Sequence, residues 1–257
     1  MSIVNTLTLE SNRQIKINFD GGDLSSDAGL LLIKEFAAKI GFTKLIKKKF
    51  KTNDEAVRFH KDAENLLQMI YQVISAYFQD DCADELTLDP VFQAILGKES
   101  LASQPTLSRF FNRMDEDTLV QFDDIDKNLR DIIYSIKRPE HVLLDLDSTL
   151  FGTYGKQEGE GFNFHYQAHG YHPLLCYDGL TGDLQKAELR DGTRYCSNGA
   201  DKFMESIFQE YLERGIETYL RGDSGFASPK LYETCESNGC SYAIRLKQNS
   251  SLIAMAS

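Results

Sequence analysis

The chain has 257 residues, of which 42% are hydrophobic, and this is enough for one or two domains with a packed core. Its five cysteines form no CxxC pair, so the sequence indicates neither a zinc ribbon nor a disulfide framework. The net charge of -11 argues against a protein whose whole surface binds nucleic acid, and the short, interrupted apolar stretches predict a cytoplasmic protein with no membrane contact.

The first predicted elements are a strand pair and an amphipathic helix. Loose alternation of apolar residues over 6–18 predicts two short strands. A helical period follows over 30–40, with Ser25 or Ser26 as its N-cap and Gly41 as its stop signal.

A basic run comes next. Residues 39–51 contain six lysines and no acid, whereas residues 80–89 contain five acids and no base, so a basic patch can coexist with the acidic total. A solvated helix end or loop is an equally good reading of such a short run. The candidates for contact with DNA phosphates in this part of the chain are Lys44, Lys47, Lys48, Lys49 and Lys51.

Further helices are predicted up to Pro139. Asn53 is expected to cap a helix through 66–77 that is apolar on several sides and therefore lies in the core. Later helices are predicted over 89–96, 106–114 and 116–134. Arg109 and Arg113, one helical turn apart, can either reach phosphate or form a solvated face. Residues 1–139 are thus predicted to form a mainly helical N-terminal region.

Strands dominate after Pro139. The apolar run 141–147, the extended segment 162–177 and a returning strand at 184–189 come first, with turn residues between the last two. A helix at 201–215, a strand at 216–221, a helix at 228–237 and a strand at 241–246 follow. Three sequential strands followed by this alternation is the order of the ribonuclease H-like fold. We therefore predict an α/β domain over 140–257, with a mixed sheet and flanking helices.

Two aspartates end predicted strands of this domain. Asp147 ends the first strand and Asp223 ends the fourth, so both carboxylates can meet at one edge of the sheet. Two adjacent carboxylates repel each other unless they are protonated or bind a metal, and oxygen ligands suit Mg²⁺ or Mn²⁺. Two such ions about 4 Å apart support phosphoryl transfer. A single aspartate at a strand end is more often a turn or helix cap, so the surrounding motifs decide.

Five motifs surround these aspartates: LDLDST at 144–149, FNFHY at 162–166, HPL at 172–174, LRDG at 189–192 and RGDSGF at 221–226. Together they resemble the DDE domain of bacterial insertion-sequence transposases, in the branch numbered thirteen-eighty. The resemblance covers about 142–249, with weaker similarity at 105–110. It implies that Asp147 is the first catalytic acid and Asp223 the second, and that both bind Mg²⁺ or Mn²⁺. Asp145 is the alternative first acid, because it lies on the same face of the strand as Asp147.

The resemblance also implies partners and a third acid. Similar transposases bind terminal inverted repeats through an N-terminal region, act as homodimers, and cut the element out before joining it to target DNA. Their third acid is a glutamate in the pattern Tyr-x2-Arg-x3-Glu-x6-Lys, which does not occur in this sequence. We therefore expect an incomplete catalytic domain and an isolated chain that is inactive.

Two other functions compete with this one. The segment 142–150 also resembles the first motif of haloacid dehalogenase-type phosphatases, with Asp145 as nucleophile and Asp147 as acid/base. Those enzymes need a helix soon after the motif, whereas residues 152–161 lead into strands. The other competitor is a non-catalytic DNA-binding transposase fragment, which the missing glutamate and the basic run would suit.

Three histidines suggest a zinc cluster by their proximity in sequence. His165, His169 and His172 lie in a segment predicted to be extended, where the spacing puts His172 on the opposite face from the other two. Core or hydrogen-bonding roles are therefore the better interpretation.

Overall fold

The computed structural model describes residues 6–21, 25–247 and 250–256, which fold as two compact units with a boundary between Ile136 and Lys137. None of the helices in these residues is long and apolar enough to cross a membrane.

The N-terminal unit begins with two short antiparallel strands, β1 (Thr6–Thr8) and β2 (Lys16–Asn18), as predicted. The other regular elements of its described part are helices. They are α1 (Leu30–Lys39), α2 (Phe42–Lys49), α3 (Asp62–Ile74), α4 (Cys82–Glu85), α5 (Pro90–Leu96), α6 (Gln104–Phe111) and α7 (Glu116–Ile136). The predicted helical character of this region is therefore confirmed.

Apolar side chains of this unit form separate clusters. In one of them, Ile46 of α2 and Phe50, the residue after α2, pack against Phe110 and Ile125, and all four side chains are buried. Because Ile46 and Phe50 point inward, the lysines between and around them are directed away from the core. This amphipathic pattern fixes the orientation of the basic run.

The predicted cap of the third helix is wrong. Asn53 does not cap it, because α3 begins nine residues later at Asp62, after Lys61. The backbone N–H of Lys61 donates to the Glu64 carboxylate at 3.2 Å. The side-chain amide of Asn53 instead donates to Asp115 at 2.7 Å and to Asp117 at 3.1 Å, which are distant in sequence.

Two further expectations for this unit need correction. Helix α1 begins at Leu30 after Gly29 and has no side-chain cap, so neither Ser25 nor Ser26 starts it. Helix α3 is only partly in the core, because Val73 and Ile74 near its end are exposed. The helix is amphipathic rather than buried on all sides.

The C-terminal unit is built from strands with helices between them. Its strands are β3 (His141–Ser148), β4 (Phe151–Gly152), β5 (Gly161–Asn163), β6 (Ala168–Tyr171), β7 (Leu174–Asp178), β8 (Leu184–Glu188), β9 (Glu217–Gly222) and β10 (Ser241–Ile244). Its helices are α8 (Ala200–Arg214), α9 (Pro229–Ser237) and α10 (Ser250–Ala256). Ser228 caps α9 as predicted, with its hydroxyl accepting from the backbone N–H of Leu231 at 3.3 Å.

Five of these strands form one mixed sheet in the order β10-β9-β3-β7-β8. The strand β9 runs parallel to β3, and β10 runs parallel to β9, whereas β7 is antiparallel to both of its neighbours. If the strands of this sheet are numbered 1 to 5 in chain order from β3 to β10, their order across the sheet is 3-2-1-4-5. The second of them, β7, runs in the opposite direction to the others. The predicted ribonuclease H-like mixed sheet is confirmed.

The segment 162–177 is not one extended strand as predicted. It is broken by a turn in which Gln167 has a φ of 53°, and β5 and β6 join β4 in a separate three-stranded sheet. Glycines permit close backbone packing here. A Cβ on Gly170 would collide with the backbone of Phe151, and a Cβ on Gly192 would collide with the carbonyl oxygens of Gly161 and Gly170.

The two faces of the main sheet differ. On β3, Leu144 and Leu146 belong to the buried face, and α8 and α9 contact neighbouring strands of the sheet. The opposite face carries His141, Leu143 and Tyr219, which line an open cavity of about 530 Å³. Asp145 and Asp147 lie on this second face, because side chains alternate along a strand.

Candidate active site

The strand register brings Asp147 and Asp223 to the same end of the sheet. Leu146 on β3 pairs with Gly222 on the parallel strand β9, so the next residue of each strand is an aspartate. Both aspartates line one cavity of about 350 Å³. Its other walls come from Ser148, the turn 163–166, His172, the loop 192–196, Ser224, Gly225 and Lys247.

In each of these carboxylates, one oxygen accepts a hydrogen bond from a backbone N–H group. The Asp147 Oδ1 accepts a hydrogen bond from the backbone N–H of Ser148 at 2.8 Å. The Asp223 Oδ1 accepts from Gly225 at 2.7 Å and thereby caps the short 3-10 turn Ser224–Phe226. Within the described residues, no hydrogen bond engages the Oδ2 of either aspartate, so one oxygen of each remains for a cation.

This pair of carboxylates is chemically suited to a hard divalent cation, because Mg²⁺ and Mn²⁺ prefer oxygen ligands and retain several waters. Across the part of the chain that the structure describes, no three or more His, Cys, Asp or Glu side chains are grouped to hold a metal ion. The two aspartates would therefore supply partial coordination, with solvent or substrate oxygens completing it.

Asp145 has a different environment, although it lies only two positions before Asp147. Its Oδ1 accepts from the Arg221 Nε at 2.7 Å and its Oδ2 accepts from the Arg221 Nη2 at 2.5 Å. These hydrogen bonds raise the pKa of Arg221 above its ordinary value. A Cβ on Gly179 would collide with the Asp145 carboxylate, so the pair fits closely against that glycine. Asp145 is not among the residues that line the cavity.

One known protein family covers almost the whole chain. The family model described as transposase DDE domain group 1 matches residues 7–257. The chain belongs to this family. The predicted resemblance to DDE transposases is thus confirmed at the level of the family, whereas the thirteen-eighty branch stays a prediction. A search of curated proteins found no match.

Solved structures with some likeness include transposases. A chain of the piggyBac transposase synaptic complex with hairpin DNA is 15% identical with a TM-score of 0.39, and the match covers 84% of this chain and 49% of that one. The catalytic domain of Mos1 mariner transposase is 13% identical with a TM-score of 0.29, covering 53% of this chain and 63% of that one. A chain of the simian T-cell lymphotropic virus intasome bound to PP2A regulatory subunit B56 gamma is 17% identical with a TM-score of 0.29, covering 46% and 37%. The chain thus spans less than two thirds of each, and the family assignment rests on the family model.

One buried arginine of the transposase domain was not singled out by the sequence. The Arg190 Nε donates to the His172 carbonyl oxygen at 2.9 Å, and its Nη1 donates to the Asn198 carbonyl oxygen at 2.6 Å. Burial lowers the pKa of this guanidinium. These bonds fix the loop 191–199 that forms one wall of the cavity. The motif LRDG at 189–192 carried the signal, but only the fold shows what the arginine holds.

The three histidine side chains make different contacts. His172 is 3% exposed, and its Nδ1 donates to the Arg194 carbonyl oxygen at 2.7 Å. The His169 Nδ1 lies 3.5 Å from the Glu160 carboxylate, whereas the His165 ring packs edge-on against Tyr166. The hydrogen-bonding role that the sequence favoured is the one observed for His172.

The lysines of the basic run divide into two groups. Lys44, Lys47 and Lys48 on α2 are exposed, and so is Lys51 just after the helix. The Lys49 Nζ instead lies 2.6 Å from the Asp124 carboxylate, so its charge is paired within the unit. The sequence could not separate these groups, because Asp124 lies 75 positions away.

The two arginines near α6 also differ. Arg109 is exposed, and its guanidinium makes a long contact of 3.4 Å with the Thr106 hydroxyl. Arg113 lies beyond the helix, with its Nη2 2.7 Å from Asp62 and its Nε 3.7 Å from Asp54. Its side chain is 13% exposed. The structure therefore uses Arg113 as an internal ion-pair partner and leaves Arg109 open to solvent.

Proposed function

We propose that this chain is the catalytic part of an insertion-sequence transposase, which cuts DNA at terminal inverted repeats and joins the cut ends to target DNA. The observation that carries the proposal is the placement of Asp147 and Asp223 on adjacent parallel strand ends, in one cavity of a transposase DDE domain. Two strand-end carboxylates with one open oxygen each are the donors that divalent-metal phosphoryl transfer requires.

In this proposal, Asp147 and Asp223 are the residues that would hold Mg²⁺ or Mn²⁺. A cation bound there would supply Lewis-acid activation of the attacking oxygen and would neutralise charge at the phosphate. The backbone N–H groups of Ser148 and Gly225 keep each carboxylate in place, so that little rearrangement is needed when substrate arrives. The exposed side chains of Arg194 and Lys247 line the same cavity and can attract a phosphodiester.

The geometry favours Asp147 over Asp145 as the first acid. Both oxygens of Asp145 are engaged by Arg221, which neutralises its charge and blocks its approach to a cation. The same pairing argues against the phosphatase alternative, because that mechanism needs Asp145 as a free nucleophile. Membership of the transposase family also disfavours it.

DNA contact and assembly belong to the same proposal. Four exposed lysines on and beside α2, and the exposed Arg109 on α6, are the residues that we expect to contact DNA phosphates. The four lysines are Lys44, Lys47, Lys48 and Lys51. We also propose that the full-length transposase acts as a homodimer on the two ends of its element. The presence of the acid pair favours a catalytic role over a solely DNA-binding fragment.

The test is a Mn²⁺ titration of the purified chain by electron paramagnetic resonance. We expect one class of site that Asp223→Asn removes and that Asp183→Asn, a change at an exposed turn of the same unit, leaves intact. Unchanged Mn²⁺ binding in Asp223→Asn, with the fold preserved by circular dichroism, would show that these carboxylates are not the metal site.

A further inference from the structure

We propose that Tyr166 binds substrate, with its hydroxyl donating a hydrogen bond to a non-bridging oxygen of the phosphate that docks at Asp147 and Asp223. This inference rests on the proposed function. It adds to the two acids a neutral donor that the sequence did not single out. The argument depends on how firmly the side chain is held and on where its hydroxyl lies.

The backbone of Tyr166 is fixed by a buried asparagine. Asn163 is 5% exposed, and its Oδ1 accepts from the backbone N–H groups of His165 at 3.0 Å and of Tyr166 at 3.2 Å. Its Nδ2 donates to the Gly192 carbonyl oxygen at 2.8 Å, which joins the turn to the opposite wall of the cavity. Moving the buried Asn163 side chain would break these three hydrogen bonds, which costs free energy. The turn therefore presents Tyr166 in one orientation.

The ring of Tyr166 is held as well. The His165 ring lies edge-on to it with centroids 4.8 Å apart, and the His172 ring lies at 70° with centroids 5.9 Å apart. His172 is itself fixed by its bond to the Arg194 carbonyl oxygen. Perpendicular aromatic contacts of this kind are favourable. A swing of the tyrosine would break both of them.

The hydroxyl lies beside the acid pair. It is 3.4 Å from the carbonyl oxygen of Ser148, the residue after Asp147, and Tyr166 lines the cavity with both aspartates. Burial raises the pKa of this tyrosine, and the hydrogen-bonded Thr149 side chain lowers it by less, so the hydroxyl keeps its proton. A bond of 3.4 Å is long for an O–H donor. The donor can therefore exchange this carbonyl for a charged phosphate oxygen, which is a stronger acceptor.

Charge balance explains why such a donor is useful. Two carboxylates neutralise one divalent cation, so the negative phosphodiester that arrives next meets no net positive charge from that set. Arg194 and Lys247, which line the same cavity and are exposed, can offer that charge. The rings of His165 and His172 and the turn at 163–166 hold Tyr166, so its side chain is in position before the phosphate arrives. It would place the phosphate rather than merely attract it.

The experiment compares Tyr166→Phe with the wild type in binding a fluorescent 20-base-pair duplex, measured by anisotropy with Mn²⁺ and again with EDTA. We expect the Kd in Mn²⁺ to rise about 10-fold, the value of one hydrogen bond to a charged group, and the Kd in EDTA to stay unchanged. The affinity of the variant for Mn²⁺ alone should equal that of the wild type. Tyr154→Phe, at an exposed tyrosine outside the cavity, is the matched control.

Each other outcome counts against the proposal. An equal Kd for Tyr166→Phe and wild type in Mn²⁺ would remove Tyr166 from the substrate site and leave the proposed function standing. A rise of the same size in Mn²⁺ and EDTA would show a structural role instead. Duplex binding by the wild type that does not respond to Mn²⁺ would overturn the proposed function and this inference together.

Discussion

Asp145 and Asp147 lie on the same face of the same strand and yet have opposite surroundings. Asp145 is bound through both oxygens by Arg221 and fits against Gly179. Asp147, one residue before the end of the strand, lies in a cavity, with one oxygen held by the backbone and the other open. A carboxylate that is fully paired stabilises the sheet, whereas one left partly unpaired at a strand end is available to bind a ligand.

The N-terminal unit repeats this contrast with positive charges. Arg113 is held by carboxylates of its own unit, whereas Arg109, four positions earlier on α6, is exposed. Lys49 is paired with Asp124, whereas Lys48 beside it is open to solvent. Pairing within the fold, rather than residue type or position in the motif, separates structural charges from those available to partners.

The largest expected effect is at the two neighbouring aspartates. Asp147→Asn should weaken Mn²⁺ binding by about 100-fold, because a ligand is lost, whereas Asp145→Asn should change it less than about 3-fold. Titration of both variants by electron paramagnetic resonance measures the difference. If Asp145→Asn abolished binding and Asp147→Asn did not, the assignment of the first acid would be reversed.

Much of the C-terminal unit could be predicted from sequence, because its signals are local. The Ser228-Pro229 pair starts α9 where expected, and the turn at 178–182 forms the hairpin between β7 and β8. The choice between Asp145 and Asp147 could not be made in this way. Both have the same alternation along the strand, and only Arg221, 76 positions away, distinguishes them.

The wrong prediction for Asn53 and the missed role of Tyr166 have the same cause. The Asn53 cap was wrong because α3 begins only at Asp62, and Asn53 is instead held by Asp115 and Asp117, more than 60 positions later. Tyr166 was missed because its orientation depends on a bond between Asn163 and Gly192, which are 29 positions apart. Capping and turn chemistry act within a few residues, so a sequence pattern cannot register partners at these distances.

The next effect in size is on stability of the N-terminal unit. Arg113→Ala should lower its free energy of unfolding by about 2 kcal/mol, because it leaves the largely buried Asp62 carboxylate unpaired. Arg109→Ala, the matched control, should change it by less than about 0.5 kcal/mol. Urea unfolding followed by circular dichroism measures both. Equal effects would mean that the ion pair contributes nothing beyond an exposed arginine.

A pH dependence follows from the same ion pair. Burial raises the pKa of Asp62, but hydrogen bonds from Thr52 and Arg113 outweigh burial, so the pKa in the folded chain is lower than its ordinary value. A lowered pKa gives stability that is present above the ordinary value near 4 and is lost as the pH falls through the folded value. The free energy of unfolding should therefore fall below about pH 4, and Asp62→Asn should reduce that fall. If the free energy of unfolding of Asp62→Asn falls at low pH as much as that of the wild type, other carboxylates cause the fall.

The smallest effect is expected for the exposed lysines. Changing Lys44, Lys47 and Lys48 to glutamine should reduce the slope of log Kd against log salt for duplex DNA by about 2 to 3, roughly one for each phosphate that is no longer neutralised. Lys49→Gln should leave the slope unchanged, because its charge is already paired with Asp124. Anisotropy titrations between low and moderate salt measure the slopes. A slope that depends on Lys49 as much as on Lys48 would contradict the division of the basic run.

The meeting of Gly161, Gly170 and Gly192 bears on how tolerance to mutation should be interpreted in this protein. Any side chain at Gly170 or Gly192 would force apart the backbones that hold the small sheet against the loop beside the acid pair. In a saturation scan of the full-length transposase scored by transposition, these positions should be as intolerant as Asp147 and Asp223. Only a parallel scan scored by protein abundance would show that the glycines fail through misfolding and the aspartates through lost chemistry.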